Sequence, residues 1–243
     1  MSATYVYGLV SAEIAVPTGL DGLDGAPVEL VAHEGIAALV SSAPTDRPLG
    51  TREDLLAHER VVDTVAAEVT VLPMRFGSVV ERPAVVDELL APHVAELASA
   101  LSELDGYVQY SVKGRYEREV VLRDVVLADP EIAELRERVQ DVPEEASYQD
   151  RMRLGELVVA ALEERARREG GRMYEELSAQ AASAVTRQSA DPEQVLDSAF
   201  LVARDQTHEF EHAVEQLGSE LAGTGRVRLI GPLAPYDFVA SAG

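Results

Sequence analysis

Val69-Thr70-Val71-Leu72-Pro73-Met74-Arg75-Phe76-Gly77-Ser78-Val79-Val80 lies between two helix-like segments and opens as a β-branched run. Pro73 has no backbone N–H to give a ladder, and Gly77 accepts a positive φ. The pattern therefore predicts an edge or terminal strand that runs into a shaped bend. Arg75 stands between two apolar residues, Met74 and Phe76. Its guanidinium must reach solvent or find a carboxylate, because an unpaired buried charge costs several kcal/mol. Glu59 and Asp63, in the helix-like segment before it, are the acids at hand. Pro73, Arg75, Phe76 and Gly77 are thus expected to form a structural joint between two helices, locked by Arg75 through an acid rather than used on a substrate.

Working back from this stretch, Thr51 is a good N-cap with Asp54 three residues on, and Leu55, Val61, Val62 and Val65 make a helical stripe over residues 51–68. His58-Glu59-Arg60 on that helix reads as its solvated face or as ion-pair partners, not as a general base. Further back, residues 28–33 and 36–41 are two short apolar runs joined at Glu34-Gly35, a hairpin. A loop rich in Pro and Gly separates them from a first strand over residues 4–10.

Working forward, Pro83 suits the first turn of a helix that passes through Leu89, Leu90, Val94, Leu97 and Leu101 and stops at Asp105-Gly106. Residues 107–113 are β-rich and open a second unit, which places a boundary near Asp105 and gives domains 1–105 and 106–243. Residues 116–127 stay open between helix and strand, and 130–139 are helical. The longest helical signal covers 144–188, where Tyr148, Met152, Gly155, Val159, Leu162, Ala166, Met173 and Leu177 follow a coiled-coil-like seam. If continuous it would extend about 60 Å. Gly170-Gly171 is expected to interrupt it, since two glycines cost together about 2 kcal/mol in a helix interior. A strand over 195–204, a helix over 205–221 and a strand over 226–230 follow, and the Pro-containing tail from Gly231 is expected to lie extended. Strands and helices are mixed in each half, so the fold class is α+β in two domains.

Composition narrows the function. The chain of 243 residues has no cysteine, which excludes disulfides, thiolate metal sites and cysteine nucleophiles. A net charge of −22, with Lys113 the single lysine, argues against nucleic acid. No window holds the roughly 18 consecutive apolar residues of a membrane span, and the start lacks a signal peptide's basic region, so a soluble cytoplasmic protein is expected. Phosphate-loop, dinucleotide and nucleophile-elbow motifs are absent from the sequence. One enzymatic pattern remains, His208-Glu209-Phe210-Glu211-His212, a literal H-E-x-x-H on a predicted helix. In a zincin the two histidines hold zinc and the glutamate activates its water. Here no third ligand is marked, so zinc-dependent hydrolysis through His208 and His212 is the alternative rather than the leading reading. An exposed acidic helix is favoured.

Residues 71–79, preceded by His58-Glu59-Arg60-Val61-Val62, resemble the signature of the GvpF/GvpL family of gas vesicle proteins. Tyr5-Val6-Tyr7-Gly8-Leu9-Val10, the run from Tyr148 to Val158, and Gly231-Pro232-Leu233-Ala234-Pro235-Tyr236-Asp237-Phe238 agree with it in order. Leu233-Ala234 departs from the many relatives that carry a tryptophan there. The resemblance implies a two-domain α+β protein whose C-terminal half is a modified ferredoxin-like arrangement with long coiled-coil-like helices. It implies an accessory or minor structural protein of gas vesicle assembly that binds the hydrophobic shell protein and other accessory proteins, and keeps shell subunits from aggregating during nucleation. It implies no catalytic residues and no cofactor, with a place in the cytoplasm and at the gas vesicle.

Overall fold

The computed structural model describes residues 3–188 and 191–239. Strands β1 (Ala3–Ser11), β2 (Glu29–His33) and β3 (Ile36–Ser42) precede helix α1 (Arg52–Ala66), and β4 (Leu72–Pro73) and β5 (Val79–Glu81) follow it. They form one sheet in the order β2-β3-β1-β4, with β5 also on β1, and the β1–β3, β1–β4, β1–β5 and β2–β3 ladders are antiparallel. The stretch 69–80 therefore builds the sheet edge in two short pieces. Between them Gly77 takes φ 90°, the left-handed value that the bend requires. The hairpin between β2 and β3 turns through Glu34 at φ 45° and Gly35 at φ 88°, the two positive values of a type I′ turn.

α1 starts with a reciprocal capping box between Thr51 and Asp54. Its buried side, Ala57, His58, Val61, Val62, Val65 and Ala66, runs at helical spacing, and its valines share a core with Tyr5, Tyr7, Leu39 and Val71. The helix expected after Pro83 is in pieces. α2 (Arg82–Ala84) passes into a π-type turn over Val85–Leu90, a 3₁₀ turn over Ala91–His93 and then α3 (Val94–Glu103). Pro92 lies at the break, where it has no N–H for the carbonyl four residues back.

The second part of the chain contains β6 (Tyr107–Tyr116), α4 (Arg118–Ala128), α5 (Pro130–Gln140), α6 (Glu144–Ser178), β7 (Ser183–Thr186), β8 (Gln194–Ala203), α7 (Thr207–Leu221) and β9 (Gly225–Leu233). Its sheet has the order β7-β8-β6-β9. Tyr110 and Phe200 both pack on Phe210, with ring centroids 5.4 Å apart in each pair.

Two expectations for this part are corrected. α6 runs through Gly170-Gly171 without interruption and is about 50 Å long. A Cβ built on Gly170 would lie 1.9 Å from the Val195 carbonyl oxygen, so the glycine serves the close approach of α6 to β8 rather than a turn. The helix also ends ten residues before the expected 188, because residues 183–186 pair with β8 as β7.

By contacts the described chain forms two compact units, one within Met1–Gln109 and Gly231–Gly243, the other Tyr110–Ile230. The expected boundary near Asp105 thus falls four residues short, and the tail assigned to 106–243 belongs with the first unit. The physical reason is burial: Ala234 is fully enclosed in the core of Tyr5, Tyr7, Val61 and Val62. The tail is not simply extended either, since Tyr236 and Phe238 donate backbone N–H bonds to the carbonyls of Ala234 and Pro235 in tight turns.

Candidate functional site

Three sequence segments, β1, the 74–77 bend and the tail, converge on His58 of α1 in the first unit. Its place on the buried side of α1 leaves it 3% exposed, against the expectation of a solvated face. Tyr5 Oη lies 3.0 Å from Nδ1, and Tyr236 Oη lies 3.2 Å from Nε2. The ring stacks on Tyr7 at 5.8 Å between centroids and meets Phe76 edge-on at the same distance. Gly77 N–H donates to Tyr5 Oη at 3.0 Å, which leaves that hydroxyl's proton for His58 Nδ1 and turns the Nε2 side toward Tyr236. A neutral imidazole fits this chain of bonds. Burial pushes the histidine's pKa down, with the Met74 carbonyl working against it. Burial likewise pushes the Tyr5 hydroxyl up to about 12.

Residues 73–77 meet this cluster chiefly through backbone. Pro73 sits opposite Gly8 in the β1–β4 ladder, and Met74 N–H reaches the Tyr7 carbonyl at 2.9 Å. Phe76 supplies a ring wall and Gly77 the N–H. Arg75 is exposed, and its carbonyl accepts from the backbone N–H and the hydroxyl of Ser78. Asp63, one of the acids offered to Arg75, accepts from the Ala234 backbone N–H, and burial together with Glu59 raises its pKa.

Two further polar clusters hold the first unit. Asp54 is 2% exposed and accepts from both terminal nitrogens of Arg47, at 2.9 and 2.6 Å, and from the N–H groups of Gly50 and Thr51. The Arg47 guanidinium holds its carboxyl well below the usual range. In the tail, Asp237 and Gln109 bond reciprocally at 2.6 and 2.9 Å. These contacts pair tyrosine hydroxyls, carboxylates and a histidine with one another and with backbone and side-chain partners of the same unit. The signal for His58 was in the sequence: Asp54, His58, Val61 and Val65 share one helical face.

The zinc pattern finds no support. His208 and His212 lie on the exposed face of α7, while Phe210 between them is buried. Glu211 accepts the Tyr110 hydroxyl at 2.5 Å, and Glu220 is held by Arg172 at 2.6 Å. Among the described residues, no group of three or more His, Asp or Glu side chains is placed to hold a metal ion.

The long seam of α6 divides in two. Leu162, Ala166, Met173 and Leu177 are buried, as the pattern requires. Tyr148, Met152 and Val159 are 62, 52 and 45% exposed. With Gly155 and Ala160 the last two line an open, mainly apolar groove of about 530 Å³, bordered by Arg151, Glu156 and Glu163. No described helix is long and apolar enough to cross a membrane.

Comparisons with known proteins cover nearly the full chain. The family described as "Gas vesicle synthesis protein GvpL/GvpF" matches residues 3–240. The chain is 34% identical to gas vesicle protein F of Streptomyces sp. (strain CB03234) over 98% of its own length and 99% of that protein. It is 28% identical to gas vesicle protein L of the same strain, over 98% and 93%. The crystal structure of GvpF from Anabaena sp. PCC7120 superposes with a TM-score of 0.86 at 26% identity, covering 100% of both chains. That of GvpF from Microcystis aeruginosa gives 0.79 at 25% identity, covering 98% and 99%.

Proposed function

Because this chain belongs to the GvpL/GvpF family of gas vesicle synthesis proteins, we propose that its part in gas vesicle assembly is to hold the hydrophobic shell protein, together with other accessory proteins, and to keep shell subunits from aggregating during nucleation. The observation that carries this is the exposed apolar strip of Tyr148, Met152 and Val159 on α6, in a chain of net charge −22. An apolar strip covers part of the partner's own apolar surface, and the surrounding negative charge keeps the complex dispersed. No step of this requires catalysis or a cofactor. Pro73, Arg75, Phe76 and Gly77 serve as a structural joint in this reading, and the protein works in the cytoplasm and at the vesicle.

We further read the second unit as a modified ferredoxin-like fold. Read across the sheet as β7, β8, β6 and β9, its strands are the second, third, first and fourth in chain order, which supports that reading. The α4–α6 segment between its first two strands is the modification, a helical array in place of one crossover helix.

Sedimentation tests the function. Shell protein mixed with an excess of this chain is expected to remain in the supernatant, and unchanged pelleting would remove the proposal.

A further inference from the structure

The amino-terminal half of α6 carries a strip that its own unit leaves open. Tyr148, Met152, Gly155 and Val159 repeat at spacings of 4, 3 and 4, the seam that one helix presents to another. α5 packs along α6 and still leaves the three larger side chains exposed. Gly155 adds an independent sign. A Cβ built there meets no heavy atom within 4 Å, so this helix-weakening residue answers no need of the unit's own packing. At Gly170, in the same helix, the close approach of β8 accounts for the glycine fully.

We infer that this groove seats one helix of a protein partner, an amphipathic helix whose apolar stripe is flanked by lysine or arginine. The inference rests on the assembly role proposed above and names the surface for it. Hydrogen bonding selects a helix. The backbone groups of α6 are satisfied within the helix, so an extended peptide laid along it would bury peptide groups with no partner, whereas a helix arrives with its own satisfied. Charge selects the flank. Glu163 borders the groove, Glu156 borders it while paired with Arg153, and Glu144 and Glu145 stand exposed at the start of α6, so acids outnumber arginines along this half of the helix. The nearby arginines are engaged: Arg151 donates to the carbonyls of Val139 and Val142 and to Ser147 Oγ, and Arg153 pairs with Glu131 and Glu156. A second copy of this chain would set the same acidic border, and another net charge of −22, against the groove.

Two synthetic helical peptides with one leucine stripe, flanked by lysine in one and by glutamate in the other, are titrated against the full chain by fluorescence anisotropy. The lysine peptide is expected to bind about tenfold or more tightly than the glutamate peptide, and Met152→Glu with Val159→Glu to weaken it about tenfold or more. Gly155→Gln, in open space, is expected to obstruct the groove in the same way. No binding to the wild-type chain, or undiminished binding to both variants with wild-type circular dichroism, overturns the groove. Equal binding of the two peptides overturns the basic flank. A wild-type dimer that the variants convert to monomer makes the occupant a second copy and overturns the proposal. The titration uses no shell protein, so its failure is distinct from that of the assembly role: variants that lose the peptide yet keep shell protein in solution remove this surface from assembly and leave the role standing.

Discussion

Both units bury some polar groups and expose some apolar ones, and each has one cluster that stands out. The first encloses His58, Asp54 and the Tyr5 and Tyr7 hydroxyls, each of them bonded, Tyr7 to the Ser41 hydroxyl at 2.8 Å. The second leaves large apolar groups outside, with Tyr148, Met152 and Val159 along one helix face. Buried polar groups and clustered exposed apolar groups are the informative exceptions in a folded protein. Enclosed polar groups with satisfied bonds specify one arrangement of chain, here the meeting of α1, the 74–77 bend and the tail. Exposed apolar groups at seam spacing specify nothing within the unit, and so point outward.

The contrast can be broken most forcefully at Gly170. Gly170→Ala drives a methyl carbon into the Val195 carbonyl, and backbone must move to relieve it. A loss of about 3 kcal/mol is expected in urea unfolding. His58→Leu comes next, since it strips the bonding partner from the Tyr5 and Tyr236 hydroxyls; the expected loss is about 2 kcal/mol.

A smaller effect appears on acidification. The fold prefers neutral His58, with a pKa below the ordinary 6.5. Its contribution is therefore full above 6.5 and declines as pH falls from there to the lowered folded value, where the loss stops because both states are protonated. Asp63 has the opposite sign, its raised pKa giving a contribution that is full below the ordinary 3.8 and lost as pH rises through the folded value. Thermal unfolding followed from about pH 7.5 to about pH 5 should show a decline that His58→Leu flattens. An equally steep decline in the variant would remove the histidine as its source. The smallest effect sharpens the comparison by reversing sign: Gly155→Ala, free of any clash, is expected to stabilise by about 0.5–1 kcal/mol in the same urea assay.

Much of the fold was legible locally. Thr51 with Asp54 marked the start of α1, Glu34-Gly35 marked the hairpin, and Pro73 and Gly77 marked an edge strand that bends, because capping, positive φ and a missing N–H act within a few residues. The candidate site was less legible. His58 looked like one of a charged triplet, although its spacing from Asp54 and Val61 placed it on the buried face, and Tyr5 and Tyr236 reach it from 53 and 178 residues away. The α6 seam showed the reverse problem, since its apolar spacing is continuous through Tyr148 and Leu177 while only the carboxyl-terminal half is covered.

Residue chemistry alone established the acidic, cysteine-free character of the chain, the kind and order of most elements, and the ordered motifs that resemble the gas vesicle family. It did so because charge, turn geometry and helix periodicity are properties of short segments. The folded chain was needed to show that Gly170 admits a strand, that the tail belongs with the first unit, that residues 183–186 are a strand and that half of a helix seam stays open. Each of those depends on what a distant segment places against the residue, and burial is a property of that pair.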